Sequence, residues 1–399
     1  MKKMLMIYPN NFLQGAMGTN NRVAQLVNIF KEIGFEIDYF GFENFSPDSS
    51  FENFEQQNLN KIINKLFLYD FQKGYSLQEN KRRSKSAVFA EKVKKKVREK
   101  KSKQFLQDWV PIGAQRMFTD ILSEYEYDVI VTFYTYLGTL FQNRTINAKK
   151  IYFMEDSMFL QQYSWEKNSV KGISLGKLMD EEIERIKCFD EVFCISNDER
   201  IFYEKITGKK MYFLPHLLPP EFKTDKKPLK ERRWDIYFIG FDNPFNVEGL
   251  KWFLEEVYPL LSKNIKIVLV GSATKHIENK YVNVDIIPFA PSLEDIYADV
   301  KIAICPMFQG TGMKVKVVEA MAQGFPIVCN ERGVDGFPDK TMCGCLVTQE
   351  AQEFADYLNK LVVEEDFYYS QCECVEKYYM KIFDNEKYEN MLVDKLCEK

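Results

Sequence analysis

Short apolar runs alternate with amphipathic helical stretches from one end of this 399-residue chain to the other, and the alternation runs twice. Candidate strands in the first half are Lys3–Tyr8, Phe35–Gly41, Asp128–Tyr134, Lys150–Met154, Glu191–Ser196 and Met211–Leu214. In the second half they are Asp235–Gly240, Ile265–Gly271, Val282–Pro288, Lys301–Pro306, Pro326–Cys329 and Gly344–Val347. Each is a nearly continuous apolar run rich in Val, Ile, Phe and Tyr. Such runs suit strands covered by helices on both faces, hence parallel sheets. The intervening helical stretches Asn21–Ile33, Leu175–Phe189, Asn246–Ser262, Lys314–Gln323 and Ala351–Val363 make the units βαβ. The expected fold class is α/β, with two doubly wound, Rossmann-like parallel-sheet domains facing each other across a cleft.

A break separates the two rounds. Residues 217–234 (LLPPEFKTDKKPLKERRW) hold three prolines, six Lys/Arg and no apolar periodicity. They read as a linker. The expected division is 1–216, linker 217–234, 235–375, and a C-terminal helical segment 376–399 packing back toward the first domain. In open parallel sheets, ligands sit at the carboxyl ends of strands, where loops meet helix N-termini.

Composition excludes several classes. The chain is 46% hydrophobic and has a net charge of −4, which leaves enough apolar material for two cores and gives no general pull toward nucleic acid. No run approaches the ~20 apolar residues of a membrane-spanning helix. The first apolar run stops at Pro9, too early for a signal-peptide core. Nine cysteines, most in apolar settings, point to core thiols in a reduced, cytoplasmic protein. Cys343-Gly344-Cys345 and Cys372-Glu373-Cys374 lack zinc-knuckle spacing and nearby histidines, so no metal is expected. One segment departs from the rest. Residues 81–103 carry twelve Lys/Arg against Glu91 and Glu99, a local +10. They read either as a peripheral attachment to an anionic membrane or acceptor, or as a solvated helix docked by Phe89, Val93 and Val97.

The most informative stretch is Lys301–Cys329, KIAICPMFQGTGMKVKVVEAMAQGFPIVC. It reads strand, Gly-rich turn, helix, turn, strand. Gly310-Thr311-Gly312 lets backbone N–H groups approach a ligand, and the helix start adds orphan donors and partial positive charge. Lys314 and Lys316 oppose the helix dipole there, which makes local sense if an anion binds between them. Glu319 is the helix's one carboxylate, suited to a pair of neighbouring hydroxyls such as a ribose diol. From spacing alone, a tight turn with ordinary surface charges explains the stretch equally well.

That stretch resembles the donor-binding signature of GT-B fold retaining glycosyltransferases, specifically glycosyltransferase family 4 (group 1). The family's Glu followed by Ala-Met-Ala-x-Gly-x-Pro-Val-Val is similar to Glu319-Ala320-Met321-Ala322-Gln323-Gly324-Phe325-Pro326-Ile327-Val328. Gly310 to Lys316 resembles the branch with a Gly-x-Gly loop before the Glu. Phe238-Ile239-Gly240, Asn246 and Trp252 to Pro259 look like the opening of the family's C-terminal domain, and Ile195 to Glu199 with Leu214-Pro215 like the end of its N-terminal one.

The resemblance implies metal-independent, cofactor-free transfer of a hexose from a nucleotide diphosphate sugar, with retention, to a glycan, lipid-linked or protein-linked acceptor. This is chemistry of polysaccharide or glycoconjugate biosynthesis. It implies that Glu319 holds the ribose. Gly310, Thr311, Gly312, Met313, Lys314 and Lys316 would surround the diphosphate, with Gly240 and Asn246 nearby. Phe289 and Ala290 would pass beside the base, and Gly15 and Gly18 would lie over the donor from the first loop.

There are departures. Thr311 stands where the family's other Glu falls. Phe241-Asp242-Asn243 replaces its Arg and Lys after the first C-terminal strand. Glu155-Asp156 follows the strand where the family often has a His. Asp156 reads as a contact to donor sugar or acceptor hydroxyl, or as a helix N-cap. His216 reads as a general acid or base or as packing at the domain junction, and His276 as surface. Two rival functions stay open: a non-catalytic subunit of the same fold that binds a glycan, peptide or partner transferase, and an epimerase of the same fold.

Overall fold

The computed structural model describes residues 2–13, 18–46, 49–52, 62–73, 106–167, 172–222, 226–278 and 280–398. The basic segment 81–103 and Gly15 lie outside them. The chain forms two compact units, Met1–Leu214 with Tyr388–Lys399, and Pro215–Lys387.

The first unit holds β1 (Lys2–Ile7), α1 (Gly18–Glu32), β2 (Phe35–Glu43), β3 (Lys65–Asp70), α2 (Ile112–Glu124), β4 (Val129–Thr132) and β5 (Lys149–Met154). It continues with α3 (Met158–Glu166), α4 (Leu175–Ile186), β6 (Glu191–Cys194), α5 (Asn197–Thr207) and β7 (Tyr212–Phe213). Its seven strands are all parallel, in the order β3-β2-β1-β4-β5-β6-β7. The order reverses between β1 and β4, as doubly wound sheets do. Met4, Leu5, Met6 and Ile7 of β1 are wholly buried, as an inner strand covered on both faces must be.

The second unit holds β8 (Trp234–Ile239), α6 (Pro244–Trp252), β9 (Ile267–Val270), β10 (Val284–Ile287), α7 (Glu294–Tyr297), β11 (Val300–Cys305) and α8 (Val315–Ala322). It continues with β12 (Ile327–Cys329), β13 (Leu346–Val347), α9 (Ala351–Val363) and α10 (Glu365–Ile382). Its parallel sheet runs β10-β9-β8-β11-β12-β13. The final helix, α11 (Asn385–Cys397), has most of its length in the first unit, where its Lys395 carbonyl accepts from Lys149 Nζ at 2.6 Å.

All twelve expected strands form, and the α/β expectation of two doubly wound parallel sheets holds. Two local expectations are corrected. A thirteenth strand, β3, was not anticipated: its run Leu66–Tyr69 sits at the sheet edge with Lys65 exposed and Leu66 and Leu68 half-buried, a weaker pattern than an inner strand writes. The single helix expected over 246–262 is α6 followed by a π-turn at Phe253–Val257 and a 3₁₀ turn at Tyr258–Leu260. Pro259 lacks the N–H that would continue the α-helical hydrogen-bond ladder. Residues 217–234 fold against the second unit, where Glu221 N donates to Ala322 O at 2.7 Å and Trp234 N to Asp299 O at 3.0 Å.

Glu182 of α4 is fully buried and accepts four hydrogen bonds: from Thr135 Oγ1 (2.7 Å), Tyr203 Oη (2.7 Å), and the N–H groups of Met158 (3.1 Å) and Phe159 (2.9 Å). It thereby satisfies the orphan donors that open α3. Glu182→Ala is expected to cost about 3 kcal/mol or more, because it strands several buried donors at once. Urea unfolding of variant and parent checks this.

Candidate functional site

In the second unit the chain leaves β11 at Cys305, passes through Pro306–Lys314 and enters α8 at Val315. Val317, Val318, Ala320, Met321 and Ala322 bury the helix. Gly324, at φ +70°, ends it in the left-handed conformation that glycine adopts without strain, and Pro326 follows. Gly310 and Gly312 have φ of +108° and +68°. A residue with a Cβ would be strained at either position. The loop therefore needs its glycines for its backbone path, whatever it binds.

The two lysines divide. Lys314 occupies the cap position of α8, outside the helical turn in which it was expected. It is buried, and its Nζ donates to the carbonyls of Thr311 (3.1 Å) and Gly312 (3.0 Å). Its ammonium thus clamps the glycine loop. Lys316 reaches the other way. Its Nζ donates to Asn246 Oδ1 at 2.5 Å and lies 4.5 Å from the centre of the Phe238 ring. Among the described residues Asn246 is its one hydrogen-bond partner; no carboxylate bonds to it, and Glu319 acts on it through charge alone. Burial holds the Lys316 ammonium below the usual lysine range. Lys316 is half-buried, and a partly desolvated cation with no bonded anion carries a cost.

Backbone donors add to that charge. Lys314 O accepts from Val317 N (2.9 Å) and Val318 N (3.2 Å). The N–H groups of Val315 and Lys316 have no partner among the described residues, as expected for the opening turn of a helix. Glu319 is one turn further along. Burial raises its carboxyl to about 7, against a smaller lowering by Lys316. Desolvation combined with a specific charge partner marks a candidate site.

The neighbouring strand ends complete the frame. Gly240 N donates to Val270 O (2.9 Å) and its carbonyl accepts from Ala273 N (3.2 Å), so its peptide groups stitch β8 to the β9 turn. Gly271, at φ +101°, would place a Cβ 2.4 Å from Gly240 O. Asn246 is buried. Its Nδ2 donates to Phe241 O (2.8 Å), and its N–H is capped by Asn243 Oδ1 (2.8 Å). Met313 is buried, Thr311 half-buried, and Ala290 half-buried beside Phe289 in the turn after β10. Phe289, 78% exposed, is the most exposed large apolar side chain described. Asp242, where the family pattern has a cation, pairs instead with His276 Nε2 at 2.9 Å. His276 is about half exposed, the surface position expected of it. That pairing was not visible in the sequence, since 34 residues separate its partners.

Other expected site residues belong to the first unit. Gly18 opens α1. Asp156 is half-buried at the carboxyl end of β5, and the cap position of α3 belongs to Ser157, not to Asp156. Ser157 Oγ pairs with Tyr203 Oη at 2.8 Å instead of capping. Glu155 is buried against Arg22, Oε1 to Nε 2.9 Å, a pairing the sequence reading missed. His216 is buried in the second unit. Among the described residues no cluster of His, Cys, Asp or Glu is arranged to hold a metal, and no helix is long and apolar enough to cross a membrane.

Residues 233–364 match the family described as "Glycosyl transferases group 1". An uncharacterized 44.6 kDa protein of the Klebsiella pneumoniae cps region is 27% identical over 218 residues, and the match spans about half of each chain. Sucrose-phosphate synthase from Thermosynechococcus elongatus superposes with a TM-score of 0.68 at 15% identity, over 98% of this chain and 97% of that one. HepE from Anabaena, crystallised with UDP-glucose, superposes at 0.64 and 11% identity over the whole of both chains. At these identities the structural likeness speaks for the fold. The chain has a GT-B fold, and its residues 233–364 are similar to the group 1 glycosyltransferases.

Proposed function

We propose that this chain moves a sugar from a nucleoside diphosphate sugar to an acceptor hydroxyl, with retention at the anomeric carbon. The observation that carries the reading is Lys316: a half-buried lysine whose ammonium bonds no carboxylate among the described residues, at a helix start where the Val315 and Lys316 N–H groups have no partner among them, one turn from Glu319. A diphosphate supplies the missing anion. Glu319 then accepts from the two ribose hydroxyls, and the exposed ring of Phe289 offers an apolar face to the base.

As the bond from sugar to diphosphate breaks, negative charge gathers on the departing oxygens. Lys316 and the N–H groups of Val315 and Lys316 are fixed in place before the reaction and aimed where that charge develops. Preorganised donors of this kind are worth about 3 kcal/mol each in barrier. Lys314 engages the loop carbonyls of Thr311 and Gly312. The proposed acceptor is a glycan or a lipid- or protein-linked saccharide.

Calorimetry with UDP and GDP, followed by turnover of UDP- and GDP-sugars, tests the reading. HepE's complex makes UDP-glucose the first donor to try. Nucleotide binding with slow donor hydrolysis, and an anomer retained by NMR, is the expected result. Thr311 and the Asp242–His276 pair, standing where the family has a Glu and cations, favour a non-catalytic binding subunit as the second reading. That subunit would show no nucleotide heat.

A further inference from the structure

Asn246 belongs to α6, yet two of its three hydrogen bonds reach outside that helix and its cap. Its Nδ2 is fixed to Phe241 O at 2.8 Å, in the turn leaving β8. The amide plane is therefore set, and Oδ1 is left pointing at Lys316 Nζ, 2.5 Å away. Asn243 Oδ1 caps the Asn246 N–H at 2.8 Å, which fixes the backbone that carries the side chain. Asn246 is 5% exposed, so water does not compete for this arrangement. Phe238 lies on another side of the same ammonium, 4.5 Å from ring centre to Nζ.

A lysine has three N–H donors on a flexible four-carbon stem. Left alone, Lys316 would lose rotamer entropy whenever it met an anion. With one donor spent on a neutral acceptor, the stem is already ordered and two donors remain. A carboxylate at position 246 would order the stem equally well but cancel the charge. A neutral amide orders it and keeps the charge available.

We infer that Asn246 is a positioning residue that acts through Lys316, holding its ammonium for the donor diphosphate without itself touching the nucleotide. The inference rests on the donor-site reading above and adds to it the origin of the lysine's aim.

A double-mutant cycle tests it, using whichever of UDP and GDP binds the parent protein. Lys316→Met is expected to weaken binding about 100-fold, from loss of a charge-assisted contact. Asn246→Ala is expected to weaken it about 10-fold. The double variant should bind no worse than Lys316→Met alone, within about twofold, because the two residues form one unit. Asn246→Asp, which restores a hydrogen-bond acceptor but neutralises the lysine, should bind about as weakly as Lys316→Met; it also serves should Asn246→Ala fail to fold, as judged by urea unfolding. Multiplying effects, about 1000-fold in the double variant, would overturn the inference by showing that Asn246 meets the nucleotide directly. Parent-like binding by folded Lys316→Met would remove the donor-site reading itself, an outcome distinct from additivity.

Discussion

Glu319→Gln is expected to gain stability and lose nucleotide affinity, both by large amounts at pH 8. The stability gain follows from linkage. Burial raises the Glu319 carboxyl from 4.5 to about 7 in the folded protein. A carboxyl with a raised folded value favours folding in its protonated form. That contribution is fully present below the unfolded value and is lost as pH rises through about 7. The parent therefore carries a penalty above pH 7 that the amide avoids. A tenfold change in proton affinity is worth about 1.4 kcal/mol, and partial exposure discounts it, so the gain is roughly 1–3 kcal/mol at pH 8 and vanishes toward pH 4.

The affinity loss has a separate cause. Two hydroxyl donors to a carboxylate become donors to a neutral amide, which offers one acceptor oxygen. A loss of about 3 kcal/mol, on the order of 100-fold, is expected. Urea unfolding at pH 5 and pH 8 and calorimetry with UDP or GDP measure the two effects. A variant that is less stable at pH 8 would assign Glu319 to structure, since a residue kept for function commonly costs stability.

Arg22→Ala is expected to destabilise the protein by about 3–5 kcal/mol, the usual range for breaking a buried ion pair from one side. Arg22 is 2% exposed. It bonds Glu155 Oε1 at 2.9 Å and Leu214 O at 2.8 Å, tying α1 to the residues that follow β5 and β7. Burial already raises the Glu155 carboxyl, and Arg22 opposes that rise by its charge and its hydrogen bond. Without Arg22 the carboxyl moves further up. The variant should therefore be least stable at high pH and regain stability as pH falls and Glu155 takes up its proton. Arg22→Met combined with Glu155→Met should recover much of the loss, because an apolar pair strands no charge. Equal destabilisation of the Arg22→Ala variant at pH 5 and pH 8 would contradict this account.

The legible parts of the chain were those written in contiguous residues. The runs Met4–Ile7, Ile236–Ile239 and Ile302–Cys305 announce inner parallel strands because both their faces must be apolar. Gly310, Gly312 and Gly324 mark the loop and the end of α8 because few other residues tolerate their positive φ, and Pro326 marks it because proline cannot continue a helix. The edge strand β3 was illegible because half of its side chains face partly outward.

Pairings between distant residues were illegible for a different reason. Arg22 meets Glu155 across 133 residues, and Asn246 meets Lys316 across 70. No local periodicity records such contacts. The sequence also treats Lys314 and Lys316 alike, as two cations beside one anion. Only the fold shows that Lys314 turns to the carbonyls of its own loop while Lys316 stays available.

The central claim is that a nucleoside diphosphate seats at the start of α8, and a structure of the protein soaked with UDP or GDP tests it most directly. The account predicts diphosphate oxygens within hydrogen-bonding distance of Lys316 Nζ and of the Val315 and Lys316 N–H groups, with the ribose hydroxyls on Glu319. Nucleotide bound elsewhere, or Lys316 still held by Asn246 alone at saturating nucleotide, would contradict it.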